Sequence, residues 1–183
     1  MRLWRVGPFT EVSGTAEDGP LWFPRPYQGD GRHDNPEHYG VLYAAADPVA
    51  AIVEALAPFR GTGRLTSTLL RRAGRSLVLA EIDLDNASLV LDLDDPAILV
   101  AEHLRPSTVA TRHRRITQDQ AGSLYRSHPG AAALKWWSTF EASWAQLTVF
   151  DRAATQLDLI AVGELTVGVP EVIEAATFLG LVG

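Results

Sequence analysis

The chain has no cysteine, which excludes disulfide frameworks, thiolate metal sites and cysteine nucleophiles at the outset. Lysine is nearly missing too, with Lys135 alone beside fifteen arginines. Such an arginine-rich, alanine-rich composition matches a GC-rich coding bias, although arginine is also the better fork for phosphate or carboxylate. No apolar run reaches the roughly 18 to 20 residues needed to cross a bilayer. Met1-Arg2-Leu3-Trp4-Arg5 leads into no apolar stretch of signal-peptide length. The expectation is a cytoplasmic protein without membrane attachment. Positive charge is in deficit overall. A net charge of -6 and a pI near 5.3 repel nucleic acid and anionic lipid, so any basic contact must be local. Walker loops, Gly-x-Gly-x-x-Gly turns, Gly-x-Ser-x-Gly elbows and His-Glu-x-x-His helices are all missing.

What remains is ample for a core. Hydrophobic residues are 46% of the 183, and charged residues 21%, which predicts one packed domain over 1–183. Residues 2–6 read as a strand closed by Gly7-Pro8. From about 13 to 40 the chain is rich in Gly, Pro, Asp, Asn and His, too long for a plain connection, and is expected to be a functional loop or covering flap. A buried strand follows at 41–46. Asp47-Pro48 then has the form of an N-cap and first helical residue, and Val49, Ile52, Leu56 and Phe59 recur at helical spacing up to Gly61.

Further strands are expected at 76–84, 88–93, 132–138, 145–151 and 157–167. Asp95-Pro96 repeats the cap before a short helix to about His103, and Thr117-Gln118-Asp119-Gln120 has capping-box spacing for a helix to about Arg126. Pro170-Glu171 opens a terminal helix. Strands outnumber helices without alternating regularly with them, which predicts α+β: a compact mixed sheet with flanking helices.

Five histidines are scattered, and none is paired at metal-ligand spacing on a helix. His33 and His38, with Asp34 nearby, read as a polar loop rather than a metal site, so no metal is expected. Arg112-His113-Arg114-Arg115 reads as a solvated helix start, because no aromatic residues interleave it. Trp136-Trp137 reads as a strand pair with one indole in the core and the other at a surface or pocket wall. By periodicity Glu54 falls off the Val49-Ile52-Leu56 stripe and faces solvent, while Tyr43 is a core aromatic.

Leu3-Trp4-Arg5-Val6, Gly31-Arg32 to Pro36, Val41-Leu42-Tyr43-Ala44-Ala45 followed by Ala50-Ala51-Ile52-Val53-Glu54, and Leu134-Lys135-Trp136-Trp137-Ser138 together resemble the RES-domain family. Strand Tyr43 followed eleven residues later by helix Glu54 is the most specific match. The family's glycine-arginine-tryptophan-asparagine element agrees at Gly31-Arg32 and then departs, with His33-Asp34-Asn35 in place of tryptophan-asparagine. Ser138 has Ser123, Ser127 and Ser143 as nearby competitors for the family serine.

The resemblance implies a fold similar to ADP-ribosyltransferases and, as in many members, a toxin of a bacterial toxin-antitoxin pair that takes NAD as substrate and breaks its nicotinamide-ribose bond. The catalytic residues would be Glu54, Arg32 and Ser138. NAD would be held by Arg5, Arg32, Tyr43 and Ser138, and the 13–40 loop would close over it. The implied partner is an antitoxin with a helix-turn-helix domain, which would make any nucleic-acid contact itself. A protein ADP-ribosyltransferase and a catalytically silent binding module of the same fold are the alternatives.

Overall fold

The computed structural model describes residues 1–9 and 15–181. The first two residues of the expected 13–40 loop lie outside the described residues. In chain order the elements are β1 (Arg2–Gly7), β2 (Val41–Ala45), α1 (Pro48–Leu56), β3 (Arg71–Arg72), β4 (Arg75–Ser76), β5 (Val78–Leu84), β6 (Leu89–Asp92), α2 (Pro96–Ala101), α3 (Pro106–Val109), α4 (Arg114–Ser127), β7 (Ala131–Trp137), β8 (Ala145–Phe150), β9 (Leu157–Glu164) and α5 (Pro170–Phe178). Seven strands form one sheet in the order β6-β7-β8-β2-β1-β5-β9, and β3 pairs with β4 apart from it. The β6-β7 pair is parallel and the β7-β8 and β1-β5 pairs are antiparallel. The sheet is therefore mixed and the fold α+β, as the sequence predicts. No helix among the described residues is long and apolar enough to cross a membrane.

The chain divides into two compact units. The first draws on 1–22, 44–84 and 158–183, and the second on 23–43 and 85–157. In the first, β1 pairs along its whole length with β5, from Arg2↔Asp83 to Gly7↔Val78. Directly opposed residues share a face of the sheet. Leu3 and Ile82, both fully buried, therefore define the same face as Arg5 and Ala80. Helix α1 packs on β1 and on α5. Its start is set by Asp47, whose carboxylate accepts the Ala50 N–H at 2.9 Å, and by Pro48, whose missing N–H costs nothing in the first turn. Six of its nine residues are buried, and Glu54 is its one exposed side chain.

The β3-β4 hairpin departs from the sequence reading. Its two turn residues, Ala73 and Gly74, both have positive φ, 49° and 79°. Asn-Gly is the usual signature of such a turn, so alanine at the first position conceals it.

In the second unit, β7 and β8 form a hairpin with Leu134 opposite Thr148 and Trp136 opposite Gln146. The connection from β6 to β7 runs through α2, α3 and α4. Asp95 caps α2 by accepting the Ala97 N–H at 2.8 Å. Tyr39, Val41, Leu91, Leu124, Leu134 and Phe150 belong to one buried cluster.

Helix α4 corrects the capping-box expectation. It begins at Arg114, three residues before Thr117, and His113 at its cap position makes no capping hydrogen bond through its side chain. Thr117 lies inside the helix, fully buried, because its hydroxyl donates to the Arg32 carbonyl at 2.5 Å. A tertiary acceptor has claimed the group that local spacing assigned to the cap.

Candidate functional site

The second unit gathers the most polar chemistry, and it does so around Gly31–Asn35. Asp34 is buried, and its carboxylate is met on both oxygens. Oδ2 accepts the N–H groups of Gly29 and Gly31 at 2.8 and 2.7 Å, and Oδ1 accepts the Tyr43 hydroxyl at 2.7 Å. That same hydroxyl accepts the His33 N–H at 2.9 Å. Burial, reinforced by Asp34, pushes the Tyr43 pKa well above the usual tyrosine range, so it remains a protonated donor. Gly31 is required sterically. A Cβ there would overlap the Asp34 carboxylate and come within 2.6 Å of the Tyr43 oxygen.

Arg32 is buried and its Nη1 donates to the carbonyls of Val109 and Thr111 at 2.8 and 2.9 Å. Its guanidinium lies 4.7 Å from the centre of the Trp136 ring, a cation-π contact. His33 is buried as well, which corrects the polar-loop reading. Its Nδ1 is 2.7 Å from the Thr148 hydroxyl, and its ring meets the Trp136 indole edge-on at 5.5 Å. Burial first, then the charges of Arg32 and Arg114, push its pKa down to about 3, so the ring is neutral. Exposed His38 meets this cluster through its backbone N–H, which donates to the Asn35 carbonyl at 2.8 Å.

The rest of the segment is fixed from α4 and from within. Gln118 Nε2 donates to the carbonyls of Gly29 and Gly31, both at 2.9 Å. Asn35 donates to the Tyr39 hydroxyl at 2.6 Å and to the Gln118 carbonyl at 2.9 Å. Tyr39 in turn donates to the His33 carbonyl at 3.0 Å. Residues 32–34 and 39–40 are thus built into the interior of this unit, although the sequence places them in a functional loop or covering flap.

Ser138 follows β7 and is buried. Its hydroxyl oxygen accepts the Phe140 N–H at 3.1 Å, while its own N–H donates to the Trp144 carbonyl at 2.8 Å. Trp136 and Trp137 are both partly buried, not divided between core and surface. Trp136 Nε1 donates to Thr148 at 3.2 Å. Arg112, His113, Arg114 and Arg115 are all exposed, as a solvated helix start requires.

Two of the sequence-derived candidates belong to the first unit. Glu54 projects from the exposed side of α1. Arg5 donates to the carbonyls of Pro20 and Trp22 at 2.6 and 3.3 Å and lies 5.1 Å from the Phe9 ring centre. Burial lowers its pKa to about 10, which leaves it cationic at neutral pH.

Tyr43 is therefore joined to this segment through the His33 N–H and the Asp34 carboxylate, and the Arg32 side chain through Trp136, which the His33 ring also meets. Asp34, Thr117, Gln118 and Thr148 belong to the same network, although the sequence names none of them as a site residue. Asp34 carries a local signal, an acidic residue three positions after a glycine, but the others are recognisable only from tertiary contacts. Among the described residues, no three of His, Asp and Glu gather to hold a metal ion.

A family model described as the RES domain matches residues 2–167, nearly the whole chain. Among curated proteins none matches it.

Proposed function

The chain belongs to the RES-domain family, which is associated with toxin-antitoxin systems, and on that premise we propose that it is a toxin that degrades NAD by breaking the nicotinamide-ribose bond. The observation that carries this reading is the placement of Glu54. Helix α1 buries six of its nine residues and exposes one, and that one is its only charged side chain.

The chemistry calls for such a group. As the bond breaks, its electron pair leaves with nicotinamide and positive charge develops on the ribose. An ionised carboxylate beside the sugar stabilises that oxocarbenium-like transition state more than it stabilises the substrate. Glu54 supplies it in this reading and accepts a hydrogen bond from a ribose hydroxyl. An arginine fork neutralises the pyrophosphate, from Arg32 or Arg5. Tyr43 offers an aromatic face to the nicotinamide ring, and Ser138 a hydroxyl to the sugar or carboxamide. An acceptor then adds to the ribose carbon. Water gives ADP-ribose and inorganic phosphate gives its phosphorylated form.

The partner in this reading is an antitoxin protein with a helix-turn-helix domain, which holds the enzyme inactive by covering the NAD cleft with a carboxylate or C-terminal tail. DNA contact belongs to that partner, in keeping with the net charge of -6 on this chain.

Purified protein incubated with NAD is expected to release nicotinamide, and the reaction repeated with and without phosphate identifies the acceptor. No release under either condition overturns the reading. Labelled NAD incubated with a cell lysate tests the ADP-ribosyltransferase alternative, since label must then become protein-bound.

A further inference from the structure

Gln146 is 5% exposed, yet neither end of its amide makes a hydrogen bond among the described residues, and its Nε2 is fully enclosed. A buried amide without partners is costly and native interiors rarely keep one. Its surroundings are polar. Gln146 stands opposite Trp136 in the β7-β8 register, and Thr148 is two residues further along β8, about 7 Å away on the same face. Ser138 lies two residues beyond Trp136, just past the end of the facing strand.

A second uncommitted donor occupies this face. The Thr148 oxygen accepts the Trp136 indole N–H, and among the described residues its hydroxyl proton has no acceptor other than His33 Nδ1. With Nδ1 as acceptor, the neutral ring carries its proton on Nε2. That N–H has no partner among the described residues.

We propose that Gln146, assisted by His33, recognises the carboxamide of the nicotinamide ring. This rests on the NAD-cleaving reading and names the group that sets its specificity. A primary carboxamide has one acceptor oxygen and one donor nitrogen, and a glutamine side chain with both ends uncommitted is its complement. Rotation about the last side-chain bond of Gln146 is broad, so the amide exchanges its ends at little cost to meet either orientation. Nicotinic acid presents only acceptors, and one end of the glutamine amide is then left facing a carboxylate oxygen.

The test compares NAD, nicotinic acid adenine dinucleotide and nicotinamide hypoxanthine dinucleotide as substrates of the wild-type protein and of Gln146→Met. Wild type is expected to prefer NAD over the acid analogue by about tenfold or more in kcat/KM, as a hydrogen-bonding site rejects a mismatched group. Gln146→Met should lose that preference while its Tm holds or rises, because an apolar side chain of similar length removes a buried unpaired amide. Retention of the preference by the variant overturns the proposal. So does discrimination in the wild type against hypoxanthine alone, which would place the amide at the adenine.

Binding of free nicotinamide and nicotinic acid, followed by saturation-transfer NMR on wild type and Gln146→Met, separates the two layers of the argument. Nicotinamide-selective binding lost in the variant supports the subsite even if no NAD is cleaved. Equal binding of both compounds by the wild type overturns it even if NAD is.

Discussion

Tyr43 holds Asp34 through a 2.7 Å hydrogen bond from its hydroxyl, and the glycine at position 31 exists to let them meet. Gly31→Ala must force the carboxylate and the phenol apart. The expected loss is about 1 to 3 kcal/mol, the usual range for an overpacked interior. Gly130→Ala, where a Cβ meets nothing within 4 Å, is the comparison, and equal denaturation midpoints for the two variants would contradict the assignment. Tyr43→Phe should cost about 1 to 3 kcal/mol by a different route, since it leaves the His33 N–H without its acceptor.

Glu54→Gln keeps the shape of the side chain and removes its charge. Because the residue is exposed on α1, the Tm should be little altered, whereas NAD cleavage should fall about 10²-fold or more, as when one preorganised electrostatic group is removed. Expression of the wild type alone should arrest growth and lower cellular NAD, and the variant should do neither. Near-normal nicotinamide release by Glu54→Gln would remove Glu54 from the mechanism.

Arg32→Lys should lose both stability and NAD binding. An ammonium has donors enough for the two carbonyls that Nη1 meets, but no planar face to stack over Trp136 while it meets them. About 2 kcal/mol is expected for the contact it gives up. Arg5→Lys is the paired measurement. Should NAD affinity fall further there than at position 32, measured by calorimetry, the phosphate-binding arginine is Arg5.

His33 makes stability depend on acidity. Its folded pKa of about 3 lies below the value of about 6.5 it has in an unfolded chain. The unfolded state therefore binds the proton first on acidification. The stabilisation is complete above about pH 6.5 and is lost as the pH falls toward 3, at about 1.4 kcal/mol per pH unit. Urea midpoints between pH 7 and pH 4 should fall accordingly, and His33→Gln should flatten the slope. A variant with the wild-type slope would show that other groups govern it.

Local chemistry made much of the fold readable. Asp47-Pro48 and Asp95-Pro96 announce α1 and α2, and their side chains cap those helices as expected. Strands β1, β2, β7 and β8 follow from short apolar runs between turn residues. Local spacing caps α4 at Thr117, whereas the helix starts at Arg114 and Thr117 serves Arg32 across 85 positions, a demand invisible to that spacing. The site divides in the same way. Periodicity predicts that Glu54 faces solvent, as it does, while its role as the catalytic carboxylate comes only from the resemblance to the RES-domain family. His33 looked like part of a polar loop because composition cannot reveal that Thr148, 115 residues later, supplies its partner. Gln146 carried no signal at all, since an unpaired amide is recognised only when its surroundings are known.

The pairing of β1 with β5 also governs how the chain acquires its structure. Strand β1 finds its longest partner only when residues 78–84 have been made. Until then β1 has β2 beside it, with Trp4 opposite Ala45, but lacks the partner that runs along its whole length, and closing so long a loop precedes the gain from those contacts. Refolding of the whole chain should accordingly fall in the millisecond-to-second range of proteins dominated by distant strand pairs. Nascent chains that end before β5 leave the β5 side of β1 open, the kind of edge that chaperones hold and that aggregation exploits.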